Sequence, residues 1–267
     1  MNNRLLVAIV LIPIGAGLIA LGGPVYAVTA CAIIGVAAWE YDRLLRMAGL
    51  CPARWLVIGG SLALALSRAI FEFRGAAALV SLLVMAAMTH HLLDYERGRD
   101  RAATDFGATL GGIFYLGWLG AYLVSLRWLP AGSWWVLTVL PVVWVTDAGA
   151  MVVGMHWGRH PFAPRLSPHK TWEGFFGGVI SGTLGGALFG GLWGLVSPAV
   201  NPGIGALVGL VLSLLTPLGD LGESMLKRQV GVKDSSQIIP GHGGVLDRID
   251  SWLWAGVIGY YLAVVLK

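Results

Sequence analysis

The chain has 267 residues, 57% hydrophobic and only 12% charged, whereas about a quarter of the residues in a soluble domain are charged. That balance excludes an ordinary soluble enzyme. The net charge of +4 and pI near 9.3 read as membrane topology and not as nucleic-acid binding, and the two cysteines, Cys31 and Cys51, lack the number and spacing of a zinc site or disulfide framework.

Apolar runs of bilayer length, roughly 17 to 25 residues each, recur from end to end. They predict an all-α, polytopic integral membrane protein of about nine spans, at residues 5–21, 24–42, 54–70, 76–93, 104–127, 134–155, 173–196, 204–226 and 251–266. The first, with Arg4 ahead of an apolar core and small residues at Val25 and Ala27, has the outline of a signal peptide and is read as a retained span. With the N-terminus cytoplasmic, all 18 Lys and Arg residues except Arg68, Arg74, Arg127 and Lys267 fall on the cytoplasmic side, which is the bias of the positive-inside rule. An even number of crossings would scramble it. Residues 1–130 are expected to supply supporting helices and lipid access, and residues 131–267 the catalytic part of one membrane domain.

The seventh span carries Gly174, Gly178, Gly182, Gly186, Gly190 and Gly194, a small-residue stripe that lets another helix approach closely. A cavity wall or a homodimer surface are its functional readings, and packing within the chain is the commoner use.

Three charged clusters approach the bilayer, all from the cytoplasmic side under this topology. In TDAGA, Asp147 lies well inside the sixth span, where an ionised carboxylate costs about 2.5–3.5 kcal/mol on insertion scales, so a function or an ion-pair partner is expected. In RLSPHKTWEG, Thr171 is placed to cap the following helix with Glu173 in its first turn, while Lys170, with Ser167 beside it, offers donors to an anion at that positive helix end. The third cluster begins in PLGDLGESMLKRQ, where Asp220, Glu223, Ser224, Lys227 and Arg228 share one helical face, acidic within and basic at the edge. A loop follows with Lys233, then His242, Gly243 and Gly244, where glycines let backbone amides turn toward an anion. Asp247 and Asp250 open the last span, with Arg248 between them.

Carboxylate pairs flanking Lys, Arg and a glycine turn suit a divalent ion bridging phosphate oxygens, since Mg²⁺ takes one or two carboxylates plus substrate phosphates. The cationic side chains would neutralise the remaining charge. At these residues the chain resembles the phosphatidate cytidylyltransferase family, the CDP-diacylglycerol synthases. SMLKRQVGVKDSSQIIPGHGGVLDRID, Ser224 to Asp250, meets the family signature position by position, and TDAGA and SPHKTWEG resemble its two upstream motifs. His169 departs from the lysine common there, so no cationic role is carried to it.

The resemblance implies transfer of CMP from CTP to phosphatidic acid, with Mg²⁺ and a second cation such as K⁺. It implies a metal held by Asp220 and Asp247, with Ser224, Lys227, Arg228, Arg248 and Asp250 around the phosphates. It also implies an enzyme of a bacterial cell membrane with its active site facing the cytoplasm and no nucleic-acid partner. The alternatives are a CTP-dependent enzyme acting on an ether lipid or polyprenol, and a cation-coupled transporter, for which a second copy of the acidic pattern is missing.

Overall fold

In the computed structural model, residues 13–238 and 243–266 are described. Residues 13–21 are helical. There follow α1 (Gly23–Met47), α2 (Arg54–Phe71), α3 (Ala76–Glu96) and α4 (Ala102–Gly112), which runs through a π-helical turn at Ile113–Trp118 into α5 (Leu119–Trp128). Then come α6 (Gly132–Trp157), a hairpin of β1 (Pro161–Ala163) and β2 (Ser167–Thr171), α7 (Trp172–Gly194), α8 (Pro202–Leu215), α9 (Pro217–Val230) and α10 (Leu246–Val265). Seven stretches among the described residues are long and apolar enough to cross a membrane: α1, α2, α3, α4 to α5, α6, α7, and α8 to α9. They match the second to eighth predicted spans. The first predicted span begins outside the described residues, and the ninth is α10, which opens with Asp247, Arg248 and Asp250. The chain is an all-α polytopic membrane protein.

Two departures from the predicted elements have local causes. The expected span 204–226 is two helices, α8 and α9, because Pro217 has no N–H for the preceding turn and its ring clashes with a helical carbonyl. Thr216 closes α8, its backbone N–H and hydroxyl both donating to the Leu212 carbonyl at 2.8 and 2.9 Å. The expected loop before α7 contains the β1–β2 hairpin, with Pro161 opposite Thr171 and Ala163 opposite Ser167.

Packing divides the chain into two units: the described residues of Met1–Ser125 with those of Leu226–Ile249, and those of Leu126–Met225 with Asp250–Lys267. Leu226–Ile249 thus groups with the N-terminal helices. In the first unit, Ile34, Ala65 and Ala121 meet in one core cluster, and Leu56, Leu64, Ala87 and Ile113 in another. Two of its buried acids are tied to basic residues of the predicted cytoplasmic set: Asp42 accepts from Arg46 and Arg54 at 2.9 and 2.6 Å, and Asp105 from Arg99 at 2.7 Å.

In the second unit, α7 packs between α6 and α8 through its glycines. A methyl group at Gly178 would meet the Ala150 side chain at 3.1 Å, one at Gly186 the Gly209 backbone at 3.0 Å, and one at Gly190 the Gly205 backbone at 3.0 Å. The stripe is therefore a packing surface within the chain. On the opposite face of α7, Ile180, Leu184 and Leu188 are exposed, as a lipid-facing row requires.

Candidate active site

In the second unit, α9 and α10 bring Asp220, Glu223 and Asp250 together, each offering a carboxylate oxygen within 4.8 Å of the others. The approach depends on Gly219: a side chain there would meet the Asp250 carbonyl at 2.8 Å and the Ser251 backbone at 3.2 Å. Glu223 is fully buried, and Asp250 and Ser224 nearly so. Asp220 is ion-paired with Lys170 of β2, both side chains being about a third exposed. Lys170 is positioned by the hairpin and by the residue after it, for Thr171 caps α7 by accepting the Gly174 N–H at 3.1 Å. Glu173 has a second task besides its place in the first turn. Its carboxylate accepts the backbone N–H groups of Arg159 and His160 at 3.1 and 3.2 Å and pairs with the His160 ring at 2.5 Å, fastening the turn before β1.

The residues of α9 follow the helix dipole. Asp220 stands in the first turn and Lys227 and Arg228 in the last, where anions and cations respectively are favoured.

In the first unit, Lys227 donates to Asp247 Oδ1 at 2.7 Å, with both side chains largely buried. The other oxygen, Oδ2, accepts from the Ser235 backbone N–H at 3.0 Å, the Ser235 hydroxyl at 2.9 Å and the Gly244 N–H at 2.7 Å. Gly243 makes this possible: its φ of +79° is a left-handed conformation, and a Cβ there would lie 2.7 Å from Asp247 Oδ2, so only glycine fits. The loop has a further anchor in Glu40 of α1, which is fully buried. Its carboxylate accepts from the Ser236 hydroxyl at 2.5 Å and from the backbone N–H groups of Val245 and Leu246 at 3.1 and 2.6 Å, and lies 3.2 Å from the Ser235 hydroxyl, whose one proton it shares with Asp247. Glu40 therefore caps α10 from another helix and closes the base of the loop on both sides.

Of the remaining predicted residues, Ser167 begins β2 half-buried, Lys233 and Arg248 are exposed, and Asp147 lies on an exposed face of α6. Arg228 is exposed and donates to the Val232 carbonyl at 3.4 Å. His242 lies outside the described residues. The structure thus collects Lys170, Asp220 and Asp250 in one unit and Lys227, Gly243, Gly244 and Asp247 in the other. Sequence reasoning missed Glu40, Ser235 and Ser236, and did not enrol Glu223 among the ligands. The signal for Glu40 was available: a carboxylate next to an apolar run demands a partner, as at Asp147.

Within the second unit, oxygen donors for a hard cation stand beside Lys170, which suits a polyanionic substrate; within the first, Lys227 and a glycine turn are fixed around Asp247. Comparison with known proteins points the same way. A Pseudomonas aeruginosa protein named phosphatidate cytidylyltransferase is 38% identical over 257 residues, covering 94% of this chain and 92% of the relative. Proteins of the same name from Synechocystis sp. and Brucella suis are 33% and 32% identical, each covering 99% of this chain and 97% and 94% of the relative. The match to the cytidylyltransferase family runs over residues 2–266, and the chain belongs to that family.

Proposed function

We propose that this protein transfers CMP from CTP to phosphatidic acid, giving CDP-diacylglycerol and pyrophosphate. The observation that carries the reading is the pairing of Lys170 with Asp220 beside Glu223 and Asp250, within a chain whose relatives bear the name of that activity over nearly their whole length.

An oxygen of the phosphatidate phosphate forms a bond to the α-phosphorus of CTP, and the bond to the pyrophosphate oxygen breaks. The attacking oxygen is already ionised, so no general base is needed. What the protein must do is hold two polyanions in line and neutralise their charge. Lys170 and Lys227 supply compact positive charges, and the exposed forks of Arg228 and Arg248 suit phosphate oxygens by paired hydrogen bonds. Asp247 and Glu40 set the loop that carries Gly243 and Gly244.

The donor set Asp220, Glu223 and Asp250, all oxygen, fits magnesium, which prefers carboxylate, water and phosphate ligands. A bound ion there would neutralise phosphate charge and polarise the phosphorus. The resemblance also gives Asp247 to the ion, and in this structure that carboxylate is held by Lys227, Ser235 and Gly244. The positive-inside charge distribution supports a cytoplasmic site, where both the lipid headgroup and CTP are accessible.

The test is a product assay with CTP labelled at the α-phosphate, the purified protein and diacyl phosphatidate in mixed micelles. Label appearing in lipid with release of pyrophosphate supports the reading. Formation of CDP with phosphorylation of a polyprenol, or no CTP consumption at all, overturns it.

A further inference from the structure

On α3, His90, His91 and Asp94 each bring a donor atom within 4.8 Å of the others, on residues that the nucleotidyl-transfer chemistry does not use. Asp94 Oδ2 lies 3.3 Å from His90 Nε2 and 3.7 Å from His91 Nδ1. The His91 side chain is only 2% exposed, and its hydrogen bonding fixes which nitrogen carries the proton. Thr109 Oγ1 donates to the Asp105 carbonyl at 2.9 Å and accepts the Ala53 backbone N–H at 2.9 Å. A hydroxyl has one proton and two lone pairs, so the contact at 2.7 Å with His91 Nε2 has the ring as donor. In the neutral ring Nδ1 then presents a lone pair, without a hydrogen bond, toward a carboxylate oxygen.

A lone pair facing an anion is repulsive, and protonating the ring would bury an imidazolium at a desolvation cost. A cation held by His91 Nδ1, Asp94 Oδ2 and His90 Nε2 relieves both. Metal-ligating histidines hand their other N–H to a second group, which is the part Thr109 plays. Asp94 also stands near the C-terminal end of α3, where the helix dipole disfavours an anion and favours a cation. Arg97 approaches the other oxygen, Oδ1, at 3.7 Å, so Oδ2 remains directed at the histidines. The His90 and Asp94 side chains are 29% and 27% exposed, which leaves an entry route and room for water.

We propose that His90, His91 and Asp94 form a three-ligand site for a borderline divalent cation of the zinc type, its fourth position taken by water. Two imidazoles select against magnesium, which prefers oxygen, so the site is separable from the acids of α9 and α10. The experiment is a Co²⁺ titration of the full-length protein in detergent, stripped with chelator and kept in excess Mg²⁺ to fill oxygen-only sites. The expected result is a visible absorption band of four-coordinate, nitrogen-ligated cobalt that Zn²⁺ displaces, lost in His91→Ala and Asp94→Asn and weakened in His90→Ala. The Asp94 and His90 variants change partly exposed groups and serve if His91→Ala does not fold. No such band in the unmodified protein, as an imidazolium–carboxylate pair in place of a metal would give, overturns the assignment, as does a band that survives Asp94→Asn.

Discussion

Glu40 accepts the backbone N–H of Leu246 at 2.6 Å across 206 residues of sequence. A buried carboxylate near the end of one apolar helix thereby serves as the N-cap of another. Because the same carboxylate holds Ser235, Ser236 and Val245, removing it strands several buried donors at once. Glu40→Ala is expected to destabilise the protein by about 3 kcal/mol or more, since buried hydrogen bonds to a charged group contribute about 1.5–3 kcal/mol each and do not add simply. Thermal unfolding in detergent measures this, with limited proteolysis reporting opening between residues 235 and 246. Glu40→Gln, which keeps the shape and one acceptor oxygen, should fall between the two.

Asp220→Asn and Asp247→Asn are each expected to reduce CTP turnover by orders of magnitude while leaving membrane insertion intact. They should differ in stability. Asp247 receives Ser235 and Gly244 as well as Lys227, so its amide loosens the loop and lowers the melting temperature. Asp220, partly exposed and paired with Lys170, should leave it nearly unchanged. Near-normal turnover in both variants would refute the acidic site.

Glu223→Gln and Asp250→Asn each remove one charge from the trio that lies within 4.8 Å. The expected outcome is a rise of about tenfold or more in the Mg²⁺ concentration needed for half-maximal turnover, with the residual rate recovered at high Mg²⁺. Chelation should abolish turnover in the unmodified enzyme, and a Mg²⁺ titration of each variant checks both statements.

Gly186→Leu should cost about 1–3 kcal/mol, because the side chain would be driven into the backbone of α8 around Gly205 and Gly209. Leu188→Ala, on the exposed face of the same helix, should change the melting temperature little. Equal effects from the two would contradict the packing assigned to the stripe.

The spans were legible because bilayer length and charge asymmetry are properties of local composition, and the signature from Ser224 to Asp250 was legible because its charges are close in sequence. The break at Pro217 was missed because average hydropathy ignores a missing N–H. The strands of the hairpin have only three and five residues, too short to show alternation. For Glu40 the need for a partner was legible but the partners were not: they lie 195 to 206 residues away, and no local pattern encodes so distant a contact. Gly219 was passed over, and Gly243 was read as turning an amide toward an anion; that each makes room for a close neighbour, the Asp250 carbonyl and Asp247 Oδ2 respectively, is a contact no sequence pattern shows.

The reach of Glu40 also bears on the order in which the protein is assembled. Asp42, two residues further on, meets Arg46 and Arg54 within the next stretch of chain, so its charge is matched early in synthesis. Glu40 enters the bilayer region long before Ser235 and Leu246 exist, and must wait for some 195 to 206 further residues to be made. An early helix, α1, is therefore completed by residues made about two hundred positions later, and a ribosome stalled before residue 246 would leave an inserted helix whose acid still lacks its full set of partners.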